Sequence, residues 1–267
     1  MNYKSITGRI AATTVALFVS TGVANAADLF ERGSLKDAPV ERERPELSAN
    51  VALTSDYIFR GISQTQEGPA IQGGFDASYK MFYAGVWASN LDFGGDDNGN
   101  DIANIEIDLY AGIKHKFGAI EADLGVIYYA YPGAEDPTAE LDYVEIKFGA
   151  SGNLTDKIGL SGTLYYSPDY TGETGETLTY EGGVSIALGT YGRFSPTFTG
   201  TVGYVDFLES ANEALSYTYW NAGVEVGFAE KFTLDLRYWD TDIDDDHASG
   251  LADESEERFV ATVSASF

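Results

Sequence analysis

Five aspartates and one histidine crowd into DTDIDDDHASG, residues 240–250. Asp242, Asp244 and Asp246 fall at positions 1, 3 and 5 of the register that calcium-binding EF-hand loops use, with Asp253 at position 12. His247 stands where the sharp turn needs glycine, and Asp253 where a bidentate glutamate is needed, so the register is not that of an EF-hand. It leaves Asp242, Asp244 and Asp246 as a candidate weak divalent-cation site, beside the simpler reading of a solvated acidic loop. His247, flanked by Asp246, has the chemistry of a general base. The second histidine, His115, belongs to a turn at the far end of the strand pattern, out of reach of His247. Gly-x-Ser-x-Gly, P-loop and HExxH patterns are missing from the sequence, which points away from an enzyme, and no cofactor is expected.

A larger set of ionisable residues recurs with a period of two. Asp56, Asp76, Glu106, Asp108, Glu121, Asp123, Glu145, Glu181, Glu225 and Asp235, with Arg60, Lys114, Lys147, Arg237 and Arg258, all share the polar face of an alternation whose other face is apolar. Such alternation is the mark of strands with one wet and one dry side. Leu47, Ala49, Val51, Leu53, Tyr57 and Phe59 share one face of the first segment, and Ile105, Ile107, Leu109, Ala111 and Ile113 share one face of a later one. Further runs lie near residues 71–80, 120–127, 142–150, 158–167, 178–188, 196–205, 217–228, 232–239 and 258–267. With 82–92, where Phe82, Tyr83, Val86 and Trp87 leave the facing open, they make twelve strands.

The connections alternate between short (80–81, 118–119, 151–157, 189–193, 229–231) and long (61–69, 93–103, 132–140, 168–177, 208–215, 240–256). An antiparallel up-and-down β-barrel inserted in a membrane from one side has this alternation, with tight turns inside and longer loops outside. Aromatics on the apolar face gather near strand ends: Tyr57, Phe59, Tyr166, Tyr180, Tyr204, Trp220, Tyr238 and Phe259 toward the long loops, and Tyr79, Phe117, Phe228, Phe232 and Phe267 toward the short turns. Two interfacial girdles look like this. The expected fold is therefore an all-β transmembrane barrel of twelve strands spanning residues 47–267, with the fifteen charged residues lining its interior. A soluble β-sandwich or lipocalin-like barrel is the competing architecture. The register is specified as well. A two-residue Gly118-Ala119 turn pairs Phe117 with Ile120, Lys116 with Glu121 and Lys114 with Asp123, matching apolar to apolar and opposite charges on one face.

The N-terminus supplies an address. Lys4 and Arg9 precede the uncharged stretch 10–24, and Ala24-Asn25-Ala26 has the small-x-small form of a signal-peptidase site, so residues 1–26 read as a cleaved export signal and 27–46 as a flexible periplasmic tail. No cysteine is present, so disulfides play no part. The 16 Lys and Arg against 42 Asp and Glu give a net charge of −26, which repels nucleic acid. The long loops carry much of the acid, and a mouth of one sign concentrates counter-ions. Within the interior, Asp56 is expected to neutralise Arg60, and Asp123 to neutralise Lys114.

TSDYIFRGISQTQEGPAIQGGFDASY (54–79), FYAGVWASNLDF (82–93), EIDLYAG (106–112) and DLGVIYYAYPG (123–133) together resemble the TorF-family porins of Gram-negative outer membranes. That resemblance implies a β-barrel channel and names no solute. The barrel reading itself places the chain among outer-membrane lipid and lipopolysaccharide, and the terminal aromatic strand ending at Phe267 resembles the signal that outer-membrane assembly machinery recognises. Two functions stay open: a passive, cation-preferring outer-membrane channel for small hydrophilic solutes, or a structural or adhesive barrel whose lumen is occluded.

Overall fold

The computed structural model describes residues 44–94, 102–134, 140–229 and 231–267. The expected export signal and most of the expected tail, 27–46, lie outside the described residues, as do the loop acids Asp96, Asp97, Asp101, Glu135 and Asp136.

In chain order the strands are β1 (Glu46–Thr54), β2 (Ile58–Phe59), β3 (Ile62–Ser63), β4 (Ala70–Tyr79), β5 (Phe82–Asn90), β6 (Ile105–Phe117), β7 (Ile120–Ala130), β8 (Tyr143–Asn153), β9 (Ile158–Ser167), β10 (Thr177–Ala187), β11 (Phe194–Phe207), β12 (Tyr217–Phe228), β13 (Phe232–Thr241) and β14 (Arg258–Ser266). All but the two-residue β2 and β3 join one antiparallel sheet of twelve strands that closes on itself. Each pairs with its neighbour, and β1 seals the cylinder against β14 through Asn50↔Ser266 to Thr54↔Thr262. Closure leaves no unpaired backbone edge, which a lipid environment would penalise. The β6–β7 hairpin has the expected register, with Phe117 opposite Ile120, Lys116 opposite Glu121 and Lys114 opposite Asp123.

The outer surface of the barrel is a band of exposed aliphatic and aromatic side chains, including Leu53, Ile71, Leu109, Phe148, Val202 and Leu236. In water such a band would be an aggregation liability; against hydrocarbon it is the required exterior. In β5, Tyr83 and Trp87 pack against the interior cluster while Phe82 is exposed, which settles the facing that the alternation left open.

The expected end of the first strand is corrected. Strand β1 stops at Thr54, and Tyr57 and Phe59 are not on the lipid-facing side. From Asp56 to Thr65 every residue is buried. Strands β2 and β3 form a second, miniature hairpin there, paired Phe59↔Ile62 and Ile58↔Ser63 around Arg60-Gly61. Part of the expected outer loop 61–69 is thus folded into the barrel. Both turn residues have left-handed backbone, φ 47° at Arg60 and 86° at Gly61, as a type I′ hairpin turn requires. A side chain at Gly61 would also collide with Thr241 and Tyr219.

Polar contacts fix where the hairpin enters. The Asp56 carboxylate accepts from the Ser63 hydroxyl at 2.7 Å and the Thr65 hydroxyl at 2.9 Å, and the Tyr57 amide donates to Thr65 Oγ1 at 3.1 Å. Around the hairpin, Tyr110, Ile127, Tyr129, Tyr143, Tyr165, Tyr170, Val205, Phe207, Tyr217 and Tyr219 form a buried cluster filling the end of the barrel where the long loops gather. Further toward the short turns, interior positions open to solvent. Along β9 the inward series runs from buried Tyr165 through half-buried Thr163 to exposed Ser161.

Candidate functional site

The fully buried Arg60 lies at the centre of the plug. Its two terminal nitrogens donate to both oxygens of Glu145 on β8, at 2.8 and 3.0 Å, giving a bidentate pair with neither partner exposed. The guanidinium carbon lies 4.9 Å from the Tyr165 ring centroid, 4.8 Å from Phe59 and 6.0 Å from Tyr170, distances at which a cation is drawn to a ring face. Tyr129 donates its hydroxyl to Glu145 Oε2 at 3.0 Å, a second donor on the oxygen that Arg60 Nη2 reaches. Arg60 Nη1 also reaches the Tyr170 hydroxyl at 3.4 Å. Burial pushes the Tyr170 phenol well up, so this loop residue presents a neutral hydroxyl. Tyr219, which donates to Glu181, crosses directly over Gly203 and can do so because that position has no side chain.

The expected partnership of Asp56 with Arg60 is therefore corrected. Asp56 instead accepts from Arg258 at 3.2 Å, while Arg60 reaches across the lumen to a partner 85 residues away. The hairpin faces the wall carrying Glu145, whereas Asp56 stays at the hairpin's root beside β14.

Two further groups of interior charges centre on Asp123 and Arg237. Asp123 accepts from Lys147 at 2.8 Å and from the Tyr83 hydroxyl at 2.7 Å, with Lys114 at 4.0 Å. Arg237 contacts Asp235 at 2.9 Å and Glu225 at 3.0 Å, and donates to Asn221 at 2.6 Å. Lys116 and Glu121 lie 3.7 Å apart near the exposed turn. Asp76 accepts from Tyr110 at 2.5 Å, and Glu106 from Tyr57 at 3.2 Å. Asp108 is fully buried beside Glu106 on the same strand face, and neither of its oxygens meets a hydrogen-bond donor among the described residues.

The divalent-site expectation at Asp242, Asp244 and Asp246 is corrected too. Among the described residues no acidic, histidine or cysteine group is arranged to hold a metal. Asp242 accepts from the Thr218 amide of β12 at 2.7 Å and Asp244 from the Asp246 amide at 3.1 Å, so these carboxylates bond separate backbone amides rather than converge. Nor is the loop merely solvated. Ile243 and Leu251 are buried, and the short helix α1 (Ala252–Ser255) contributes buried Ser255. His247 ties the loop down, 2.8 Å from the Ser249 hydroxyl and 3.3 Å from the Ser216 carbonyl, with its ring edge-on to Tyr217. This is a structural latch.

Periodicity in the sequence did not reveal Tyr129, Tyr165, Tyr170 and Tyr219. A signal existed for three of them. Tyr128-Tyr129, Tyr165-Tyr166 and Tyr219-Trp220 are adjacent aromatics in strands, and neighbours in a strand face opposite sides, so one of each pair had to point inward.

The fold and interior together define a closed, lipid-facing transmembrane β-barrel whose charged lumen is plugged from within at one end. The chain belongs to the Gcw_chp family, described as a bacterial protein of unknown function, whose match spans residues 41–267. The family name suggested by the motifs, TorF, is not the one this match carries. No match is found among curated proteins. In fold the chain is similar to the KdgM porin, with TM-score 0.54, 9% identity, and coverage of 82% of this chain and 99% of that one. It is also similar to the KdgM porin in complex with disordered oligogalacturonate, with TM-score 0.51, 8% identity, and coverage of 83% and 98%.

Proposed function

We propose that this protein is a porin-type channel of the outer membrane for small hydrophilic solutes, rather than an enzyme, and that the hairpin-in arrangement is its closed state. The observation that supports this reading is the fully buried Arg60–Glu145 pair holding a separate chain segment inside a barrel already closed by twelve paired strands. A barrel built only for rigidity gains little from such a pair, because well-packed apolar residues of similar volume stabilise as well or better. A charged contact that must be broken or kept whole suits a two-position element. The wetter part of the lumen supports the same reading, with Arg237, Glu225 and Asp235 lining it half-buried.

The channel prefers cations. The chain is strongly acidic, and the mouth carries exposed Asp244, Asp245 and Asp246. Charges within about 8 Å of an entrance bias ion entry at physiological salt. Oligogalacturonate, which one structural neighbour holds in its complex, is anionic, so the solute class of this chain differs from that one. A barrel with this apolar exterior sits in outer-membrane lipid and lipopolysaccharide, with Phe267 as the residue that the assembly machinery reads.

Planar-bilayer recording of two proteins tests the reading: the wild type, and a barrel whose hairpin segment 57–66 is replaced by a short glycine-serine link. The expected result is rare openings in the first and sustained conductance in the second. If neither conducts, the occluded structural barrel is the function.

A further inference from the structure

The surroundings of Arg60 have the composition of a ligand site. A planar bidentate carboxylate, Glu145, is held in position by the Tyr129 hydroxyl, and the faces of Tyr165 and Tyr170 approach the guanidinium. Carboxylate fork plus aromatic walls is the arrangement that selects a guanidinium over a compact ammonium. All four side chains come from the barrel wall or its loops, so the cage does not depend on the hairpin for its construction.

The occupant, by contrast, fits imperfectly. Arg60 enters at the tip of a two-residue turn, at φ 47°, a backbone region that L-residues other than glycine, asparagine and aspartate rarely adopt. Its Nε is buried with no hydrogen-bond partner among the described residues. A free guanidinium in the same cage carries no turn to strain and can rotate to satisfy its donors.

We propose that Glu145, Tyr129, Tyr165 and Tyr170 form a guanidinium-binding site of the barrel wall, that Arg60 fills it as a built-in surrogate ligand, and that guanidinium-bearing solutes compete with Arg60 and thereby make the hairpin's excursions from the lumen more frequent. Release as an opening event rests on the channel reading above; the binding site does not.

The test uses the full-length barrel in detergent micelles, with its folded state verified by heat-modifiable electrophoretic mobility. Arginine is titrated by calorimetry into the wild type, Arg60→Ala and Arg60→Ala/Glu145→Gln, with citrulline as the uncharged isostere and lysine as the ammonium control, all at one ionic strength. Arginine should bind Arg60→Ala at least tenfold more tightly than wild type and tenfold more tightly than lysine does. Citrulline should not bind, and the added Glu145→Gln should abolish binding. Equal response to arginine and citrulline in Arg60→Ala overturns the proposal.

Should Arg60→Ala fail to fold, the wild type decides through hydrogen exchange of the hairpin amides, residues 57–65, which reports excursions even while the hairpin resides mainly inside. Faster exchange with arginine but not with citrulline supports the site, and no difference between the two sinks it. Conductance separates the two claims. Arginine binding without channel activity keeps the site and removes the channel, whereas channel activity with no arginine binding keeps the channel and removes the site.

Discussion

Replacing Glu145 by glutamine probes the latch with almost no change in volume. The substitution leaves Arg60 charged, buried and facing a neutral amide, and breaking a buried pair by removing one partner costs about 3–5 kcal/mol. Opposing release are the apolar anchors of the hairpin. Tyr57, Ile58, Phe59 and Ile62 are 4%, 8%, 0% and 3% exposed, and burying side chains of this size is worth roughly 1.5–3 kcal/mol each, about 6–12 kcal/mol together. The anchors win, so the hairpin of Glu145→Gln still resides mainly inside. Its excursions, however, become more frequent by roughly two to four orders of magnitude at 1.4 kcal/mol per decade. In a planar bilayer this appears as open probability rising by at least a hundredfold with unit conductance unchanged, because the twelve-stranded wall is untouched. If Glu145→Gln opens no more often than wild type while the hairpin-replaced barrel conducts, the ion pair is not the latch and the apolar contacts alone hold the plug.

Three further outcomes follow from the same geometry. Reversal potentials in a KCl gradient should show cation preference that fades as salt rises, and Asp244→Asn/Asp245→Asn/Asp246→Asn should reduce it, because among the described residues these exposed carboxylates make no side-chain hydrogen bond apart from the Asp244 cap; anion preference in the wild type would contradict the assignment. Gly203→Ala places a methyl group against the Tyr219 ring, and overpacking of this kind costs about 1–3 kcal/mol, so the urea midpoint of the folded, heat-modifiable form should fall with the strand count intact. A cysteine at Asp245 should react with a membrane-impermeant thiol reagent on intact cells, and one at Lys157 should not; equal labelling would reverse or abolish the assigned sides.

Much of the architecture was legible in residue order because its causes are local. A strand repeats every two residues, so Ile105, Ile107 and Leu109 against Glu106, Asp108 and Tyr110 announce one dry and one wet face without reference to anything distant. A two-residue turn at Gly118-Ala119 fixes which residues pair, and Lys114 meets Asp123 as a result. The number of strands and the sidedness of the connections follow by counting.

The plug was not legible, and the reason is also physical. Tyr57, Phe59 and the residues between them keep the period of β1, so the alternation alone extends that strand past Thr54. A miniature hairpin has the same period as the strand it follows, and only the enclosing wall distinguishes the two. Residue order pairs Arg60 with its nearest acid, Asp56, because proximity along the chain is the only proximity a sequence displays. Closure of the barrel brings Glu145, Tyr129, Tyr165 and Tyr170 around one point from four separate segments, and the preference of a buried guanidinium for a carboxylate fork and ring faces then selects Glu145. The faces and the pairing belong to the sequence; the cage and its occupant belong to the closed cylinder, because only closure turns residues far apart in the chain into neighbours shielded from water.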